Sequence, residues 1–361
     1  LLELLITLAY MAKINYEEVF SPVGMWDAII YNHLRDNGIV IPPKPAPPKG
    51  KIAFEGAYVK DPIRGRHKNI ASFDLQSLYP HLIMQYNMSP ETLTNVRYDV
   101  SVDKLLNKEF DLSQLTNNNL AITANGWCYS REKKGFLPEL MDKFYNDRSK
   151  YKKQMLKVEQ EYENTKDKSL LKEISRLTNL QMALKIALNS LYGALGQKNF
   201  RYFDLRMAEG ITLSGQLSIR WIAGKINAHM NKLMKTTNVD YVIAIDTDSV
   251  YLTLENLVEQ HQVGKTTEEK IQFMDKFCGK VITPIIEKSY AELAEYMNAF
   301  QNKMQMKREV LADKGIWCKK KKYVLRVHNS EGVQYDQPKL KVMGLEIVKS
   351  STPSAIRDKL K

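Results

Sequence analysis

Two short apolar runs, 241–245 and 250–254, flank the tetrapeptide Asp246-Thr247-Asp248-Ser249, and this arrangement restricts the fold most. Apolar runs of this length separated by a tight polar link read as a β-hairpin. Residues i and i+2 of an extended chain point to the same side, so Asp246 and Asp248 are expected to converge. Convergent carboxylates repel each other and are stable mainly with a divalent cation between them. Taken alone, the segment reads better as an ordinary polar turn, because Asp and Ser favour turns. Two further stretches weigh against that plainer reading.

The first is Asp74-Leu75-Gln76-Ser77-Leu78-Tyr79-Pro80. Residues 67–73 read as a strand, with Asp74 at its end. One Asp beside a hairpin carrying two makes a cradle for a pair of Mg²⁺ ions. Such ions, about 3.5–4 Å apart, activate one oxygen and stabilise another during in-line phosphoryl transfer.

The second is Lys185-Ile186-Ala187-Leu188-Asn189-Ser190-Leu191-Tyr192-Gly193. Residues 171–195 contain no Pro, and Leu180, Leu184, Ala187, Leu188 and Leu191 fall at helical intervals. Lys185, Asn189 and Tyr192 then share a face. An earlier helix, 137 to about 163, carries Arg148 and Lys152 one turn apart, and the polar stretch 164–169 suits the tip of an antiparallel helical hairpin. If the inner faces meet, Arg148, Lys152 and Lys185 surround a triphosphate, Arg as a bidentate fork and the lysines as point charges. Lys150 and Lys153 read as solvated residues.

The three stretches resemble motifs A, B and C of the family B DNA polymerases, in that family's order. The forms DxxSLYP, KxxxNSxYG and DTDS are together highly specific, although each is weak alone. Residues 21–30 and 339–346 resemble segments of the T-even-type branch found in tailed phages, so nearly the whole chain is covered. The resemblance implies that Asp74, Leu75 and Asp248 are metal ligands, with Asp246 at the same centre, for two Mg²⁺ ions with Mn²⁺ as a substitute. It implies that Leu75, Ser77 and Leu78 line the nucleotide site and that Tyr79 lies under the sugar, excluding a 2′-hydroxyl. Arg148, Lys152 and Lys185 would hold the triphosphate, Asn189 would position it, and Tyr192 would line the nascent base-pair pocket. Lys185 is also the candidate general acid for the leaving pyrophosphate. Lys320-Lys321-Lys322-Tyr323 resembles the family's KKRY segment, which contacts primer-template DNA. Where the family usually has Gly before the first Asp of motif C, this chain has Ile245.

Charge is consistent with a nucleic-acid partner. The net charge is +12, the pI is near 9.3, and the excess is clustered: 131–157 holds nine basic residues against four acidic, and 303–322 holds eight against two. Lysines and arginines that neutralise phosphates release counterions, so binding is expected to weaken steeply with salt. DNA contact is the stronger reading for 319–322, where Trp317 and Tyr323 lie nearby, and only modestly so for 303–314. No stretch reaches the length of a membrane span, and the opening residues lack a signal peptide's basic start. Cys128, Cys278 and Cys318 are far apart, without CxxC or paired His spacing, and read as free thiols with no zinc site.

The Pro-rich stretch 41–50 reads as a linker, because proline removes backbone donors and fixes φ. The fold expected is an α+β polymerase palm of antiparallel strands with an inserted helical fingers hairpin. Residues 1–45 would link an upstream region to the palm. Palm residues would be 46–134 and 198–361, including helices over 207–234 and 266–314, and the fingers would be 135–197. The chain opens inside an amphipathic helix without Met and stops in a helix-like run, 355–361. It therefore reads as a fragment or one chain of a split polymerase, with neither exonuclease nor thumb and without proofreading.

The function expected is DNA-directed DNA polymerisation serving phage replication in the cytoplasm of an infected bacterium. Its partners would be primer-template DNA, deoxynucleoside triphosphates, and a sliding clamp or the missing polymerase domains. The alternative is a catalytically incomplete nucleic-acid-binding fragment that needs partner chains. Polymerases that use RNA templates or make RNA are a weaker alternative, and Tyr79 argues against ribonucleotide substrates.

Overall fold

The computed structural model describes residues 1–50, 53–111, 113–264 and 266–360. Two helices open the chain, α1 (Leu2–Ala12) and α2 (Pro22–Asp36). α2 begins where it does because the Ser21 hydroxyl accepts from the Gly24 amide at 3.2 Å and Pro22 suits the first helical position. Residues 41–50 carry no helix or strand. Strand β1 (Gly65–Leu75) then leads into helix α3 (Leu78–Gln85).

A small antiparallel sheet comes next. Its strands β2 (Leu93–Arg97), β3 (Leu120–Ile122) and β4 (Trp127–Ser130) lie in the order β2-β4-β3, with α4 (Val102–Leu106) and α5 (Ser113–Asn117) between β2 and β3 in sequence. The helical hairpin is α6 (Phe136–Thr165) and α7 (Leu170–Leu195), turned at Lys166 in the left-handed conformation. Helix α8 (Leu205–Met234) follows, with Asp204 as its N-cap. The remainder is β5 (Val242–Asp246), β6 (Ser249–Thr253), α9 (Glu255–Gln260), α10 (Thr267–Phe277), α11 (Thr283–Tyr296), β7 (Met306–Lys319), β8 (Lys322–Ser330), β9 (Val333–Met343) and α12 (Ser354–Leu360). Lys361, the last residue of the run read as helical at 355–361, lies outside the described residues. No described helix is long and apolar enough to cross a membrane.

The architecture is α+β. The main sheet has the order β5-β6-β1-β7-β8-β9, and each neighbouring pair is antiparallel. Period-2 alternation gives β1 two faces. Ala71, Phe73 and Leu75 join the large core, together with Val250, Leu252 and Leu311 from neighbouring strands. Ile70, Ser72 and Asp74 face the other way, opposite Thr253, Tyr251 and Ser249 of β6. A smaller apolar cluster on that second face includes Ile70, Tyr251, Val310, Trp317 and Tyr323. One face of the sheet is thus closed by the main core, while the other carries polar side chains beside a limited apolar patch.

A helix over 266–314 is the expectation that fails. α10 ends at Phe277, a π turn (Cys278–Ile282) leads into α11, and α11 ends at Tyr296. Asn298 then takes a left-handed φ of 43°, a common way to stop a helix. From Met306 the chain is strand β7, paired with β1 on one side and β8 on the other. The charged residues of 303–314 favour a helix locally, but backbone pairing on both edges overrides propensity.

The β7–β8 link is a two-residue turn, Lys320-Lys321, with Lys321 at φ 59°. Gly344, just beyond β9, lies against it at φ 64°, and a Cβ there would fall 2.0 Å from the Lys321 carbonyl oxygen. Gly344→Ala is therefore expected to destabilise the chain by about 2 kcal/mol or more, through backbone strain and steric clash. Urea unfolding checks this, and an unchanged midpoint would contradict it.

Candidate active site

The β5–β6 turn is built by backbone hydrogen bonds. Asp246 pairs with Ser249, Thr247 takes a left-handed φ of 59°, and the Asp248 amide donates to the Asp246 carbonyl at 2.7 Å. Asp248 therefore belongs to the turn and not to an extended strand, which corrects the i, i+2 argument for its direction. Two further bonds fix the turn in place. The Leu75 amide donates to the Asp248 carbonyl at 2.8 Å, and the Thr247 amide donates to the Tyr58 carbonyl at 3.1 Å. The first of these bonds sets the Asp248 main chain beside the end of β1, where Asp74 sits.

Asp74, Asp246 and Asp248 line one open cleft of about 370 Å³ together with a fourth carboxylate, Glu309. Sequence reasoning missed Glu309 because it read that stretch as helix. The β1–β7 register explains its position: Ser72 pairs with Val310 while the next residue, Phe73, pairs with Arg308. Glu309 is thus the extra residue of a β-bulge, a device that re-aims a side chain. The Ser72 hydroxyl accepts from the Val310 amide at 3.1 Å and donates to Glu309 Oε2 at 3.4 Å. Lys341 Nζ donates to Glu309 Oε1 at 2.8 Å.

Charge crowding is visible in the titration of these groups. Burial first, then the charges of Asp248 and Glu309, push the Asp74 carboxyl up to about 7. Asp248 is also raised, mainly by burial, with its own backbone amide opposing the shift and Asp246 and Glu309 adding to it. Lys321 Nζ lies 3.4 Å from Asp246 Oδ1. As the side chains stand, no group of three or more carboxylate, His or Cys side chains among the described residues is arranged to hold a metal ion.

Aromatic side chains meet where α3 and α7 come together. Ser77 has a left-handed φ of 48° before α3, and its carbonyl accepts from His81 Nδ1 at 3.0 Å. Leu78 is buried. The ring of Tyr79 lies 4.5 Å from that of Tyr192 on α7, and Tyr192 meets Phe54 edge-on at 6.5 Å. Burial pushes the Tyr79 phenol up to about 12. On α6, Arg148 is half-buried and its Nε finds no hydrogen-bond acceptor among the described residues, while burial lowers its pKa. Lys152, Lys185 and Asn189 are exposed, with Arg148 and Lys152 one turn apart on α6 and Lys185 and Asn189 one turn apart on α7.

Residues 27–281 match the family described as DNA polymerase family B. The DNA-directed DNA polymerase of Escherichia phage RB69 is 34% identical, over 100% of this chain and 45% of that protein. The DNA-directed DNA polymerase of Enterobacteria phage T4 is also 34% identical, over 99% of this chain and 45% of that protein. DNA polymerase 1 of Pyrococcus abyssi (strain GE5 / Orsay) is 28% identical, over 82% of this chain and 30% of that protein. The chain belongs to DNA polymerase family B. It spans a little under half the length of the two phage relatives.

In this family B chain the lysine-rich segment near the end is the β7–β8 turn. Lys320 lies 3.3 Å from Asp61, Lys321 reaches Asp246, and Lys322 lies 3.8 Å from Glu346. Tyr323 is buried, and its hydroxyl bonds that of Tyr251 at 2.6 Å. Lys303, from the same basic run, donates to Asp142 of α6 at 2.7 Å and so joins two parts of the fold. Ile245, where the family usually has Gly, is buried in the main core and pairs with Val250.

The raised Asp74 pKa has a consequence for stability. The folded chain binds this proton more tightly than the unfolded chain, whose carboxyl titrates near 3.8. The contribution is therefore fully present below about pH 4 and is lost as pH rises towards 7. Asp74→Asn is expected to flatten this loss. Urea midpoints measured in chelator from pH 4 to 8 test it, and parallel pH profiles for the two proteins would refute it.

Proposed function

We propose that this chain is the catalytic core of a phage DNA-directed DNA polymerase. The observation that carries this reading is the sharing of one cleft by Asp74 and Asp248, which burial and mutual repulsion make hard to ionise together. The cleft's carboxylate oxygens suit a hard divalent cation. Asp74, Asp248 and Asp246, with the Leu75 backbone, would hold two Mg²⁺ ions, with Mn²⁺ as a substitute. Bound Mg²⁺ supplies positive charge that offsets this repulsion and acidifies a primer 3′-hydroxyl.

The chain's own residues do the rest. Arg148, Lys152 and Lys185 bind the triphosphate and Asn189 orients it. The primer hydroxyl gives its proton to solvent as its oxygen bonds the α-phosphorus. The bond from that phosphorus to the pyrophosphate oxygen breaks, and Lys185 gives a proton to the departing pyrophosphate. The unsatisfied, half-buried Arg148 Nε supports its part, since such a donor gains most from an anionic acceptor. Ser77 and Leu78 shape the nucleotide site, Tyr79 packs under the sugar, and Tyr192 lines the nascent base pair. In this reading residues 46–134 and 198–361 form the palm, 135–197 the fingers, and 1–45 the segment joining the palm to an upstream region. Lys320, Lys321 and Lys322 face primer-template DNA, with Lys321 exchanging Asp246 for a phosphate or base, whereas Tyr323, expected to contact DNA as well, is buried behind them against Tyr251 and supports the turn instead. A sliding clamp or further polymerase domains complete the machine in the host cytoplasm.

Mg²⁺-dependent extension of a primed DNA template at low salt tests the proposal. Asp248→Ala is expected to slow extension by at least about 10²-fold, the scale for losing one electrostatic group at a reacting centre. Equal rates in the two proteins would overturn the assignment of Asp248. If neither protein extends the primer and added polymerase domains fail to rescue them, the nucleic-acid-binding reading would stand in its place. Tyr79→Ala is expected to raise ribonucleotide over deoxynucleotide use by roughly 10-fold or more, the discrimination that pocket contacts typically supply. Unchanged sugar selectivity in competition assays would remove Tyr79 from that role.

A further inference from the structure

Trp26 is fully buried, yet it carries a polar N–H that must find a partner. Its Nε1 donates to two acceptors on α7, the Ala187 carbonyl and the Ser190 hydroxyl, each at 3.1 Å. Ser190 Oγ in turn donates to the Ala187 carbonyl at 3.0 Å. The Trp26 indole also lies 5.7 Å from the ring of Phe144 on α6. One side chain of α2 therefore touches both helices of the hairpin near its base. The next residue strengthens the anchor, because Arg201 Nε donates to Asp27 Oδ1 at 3.3 Å and Arg201 Nη1 donates to the Pro42 carbonyl at 2.7 Å.

The angular position of these contacts on α7 matters most. A helix turns about 100° per residue, so Asn189 lies roughly 40° from Lys185, and Ala187 and Ser190 lie roughly 200° and 140° from it. Trp26 thus grips α7 from the side away from Lys185 and Asn189. A rotation of α7 by about 20° would sweep a group about 6 Å from the axis through about 2 Å. Displacements of that order are costly where several groups must meet one ligand.

We propose that Trp26 is a positioning residue, whose indole N–H fixes the rotation of α7 and so the direction in which Lys185 and Asn189 face a bound nucleoside triphosphate. This inference rests on the reading of Lys185 as a triphosphate ligand. It also gives Ser190 a place within the Asn189-Ser190 pair, as the acceptor that faces Trp26 while Asn189 lies about 100° further round the helix, towards Lys185.

The test is equilibrium binding of dATP with Mg²⁺ to the full chain on primed DNA, compared across wild type, Trp26→Phe, Ser190→Ala, the double variant and Lys185→Ala. Trp26→Phe keeps an aromatic ring against Phe144 and removes the donor. It is expected to weaken dATP binding about 3- to 10-fold, the scale of one hydrogen bond, with the number of binding sites unchanged. Because both single changes remove the Trp26–Ser190 bond, the double variant is expected to lose less than their product. Wild-type affinity in Trp26→Phe, alongside weakened binding in Lys185→Ala, overturns the inference and leaves the site reading intact. Unchanged binding in Lys185→Ala instead overturns the site reading, and this inference falls with it. A purely structural role would reduce the number of competent sites without changing their affinity, and that result also overturns the proposal. If Trp26→Phe folds poorly, Ser190→Ala decides, with weaker dATP binding expected and wild-type affinity counting against it.

Discussion

The hydrogen bond from the Leu75 amide to the Asp248 carbonyl holds together groups whose charges would separate them. β1 and β6 pair from Ile70–Thr253 to Asp74–Ser249, and this bond extends the contact into the turn. The main chain, not the side chains, therefore sets the spacing of the carboxylates. Their burial, and after it their repulsion, is left as a standing cost, expressed in the raised pKa values of Asp74 and Asp248. A rigid cradle of this kind prefers a positive charge without having to reorganise around it. Lys321 at Asp246 and Lys341 at Glu309 already neutralise two of the four carboxylates. The less compensated pair is Asp74 and Asp248, the two whose carboxyls are pushed up.

The sheet assigns separate jobs to its two faces. On the core side, Ala71, Phe73 and Leu75 fix β1 in a large apolar cluster, so the strand cannot slip by one residue without exposing that row. This register simultaneously commits Ile70, Ser72 and Asp74 to the open side. The bulge at Glu309 interrupts the alternation at one place, and Ser72 stabilises the interruption by bonding both the freed Val310 amide and the Glu309 carboxylate. A small polar residue in the middle of a central strand is thereby accounted for: it serves the partner strand's irregularity.

Much of this was readable from residue order, and the failures share a cause. The β5–β6 hairpin, the strand ending near Asp74 and the α6–α7 hairpin all follow from local periodicity and turn chemistry. Strand β7 does not, because its identity depends on two partners, one more than two hundred residues away in sequence, and locally its charged residues favour a helix. Glu309 was hidden for the same reason, since a bulge exists only relative to the strand it faces. Asp248 shows a subtler case. Its membership of the site was legible, but the reason for it lies in a turn and a long-range backbone bond.

The helical hairpin is held unevenly along its length, and this bears on where it can move. The buried residues of α6 are Leu137, Pro138, Leu140, Met141 and Phe144, all within its first three turns. Those of α7 begin at Leu177 and run to its C-terminal end. Between these limits the outer part of the hairpin rests on little besides α1, where Glu3 Oε2 accepts from Ser175 and Asn179 at 2.9 Å each, through exposed groups. Exposed polar contacts of this kind open at little cost, whereas burial at the base resists opening. Any swing of the hairpin should therefore pivot near Trp26 and Phe144, close to Tyr192 and its contact with Tyr79. Lys185 and Arg148 lie near that pivot, and Lys152 lies farther out along α6. A small rotation would therefore displace Lys152 farther than the other two.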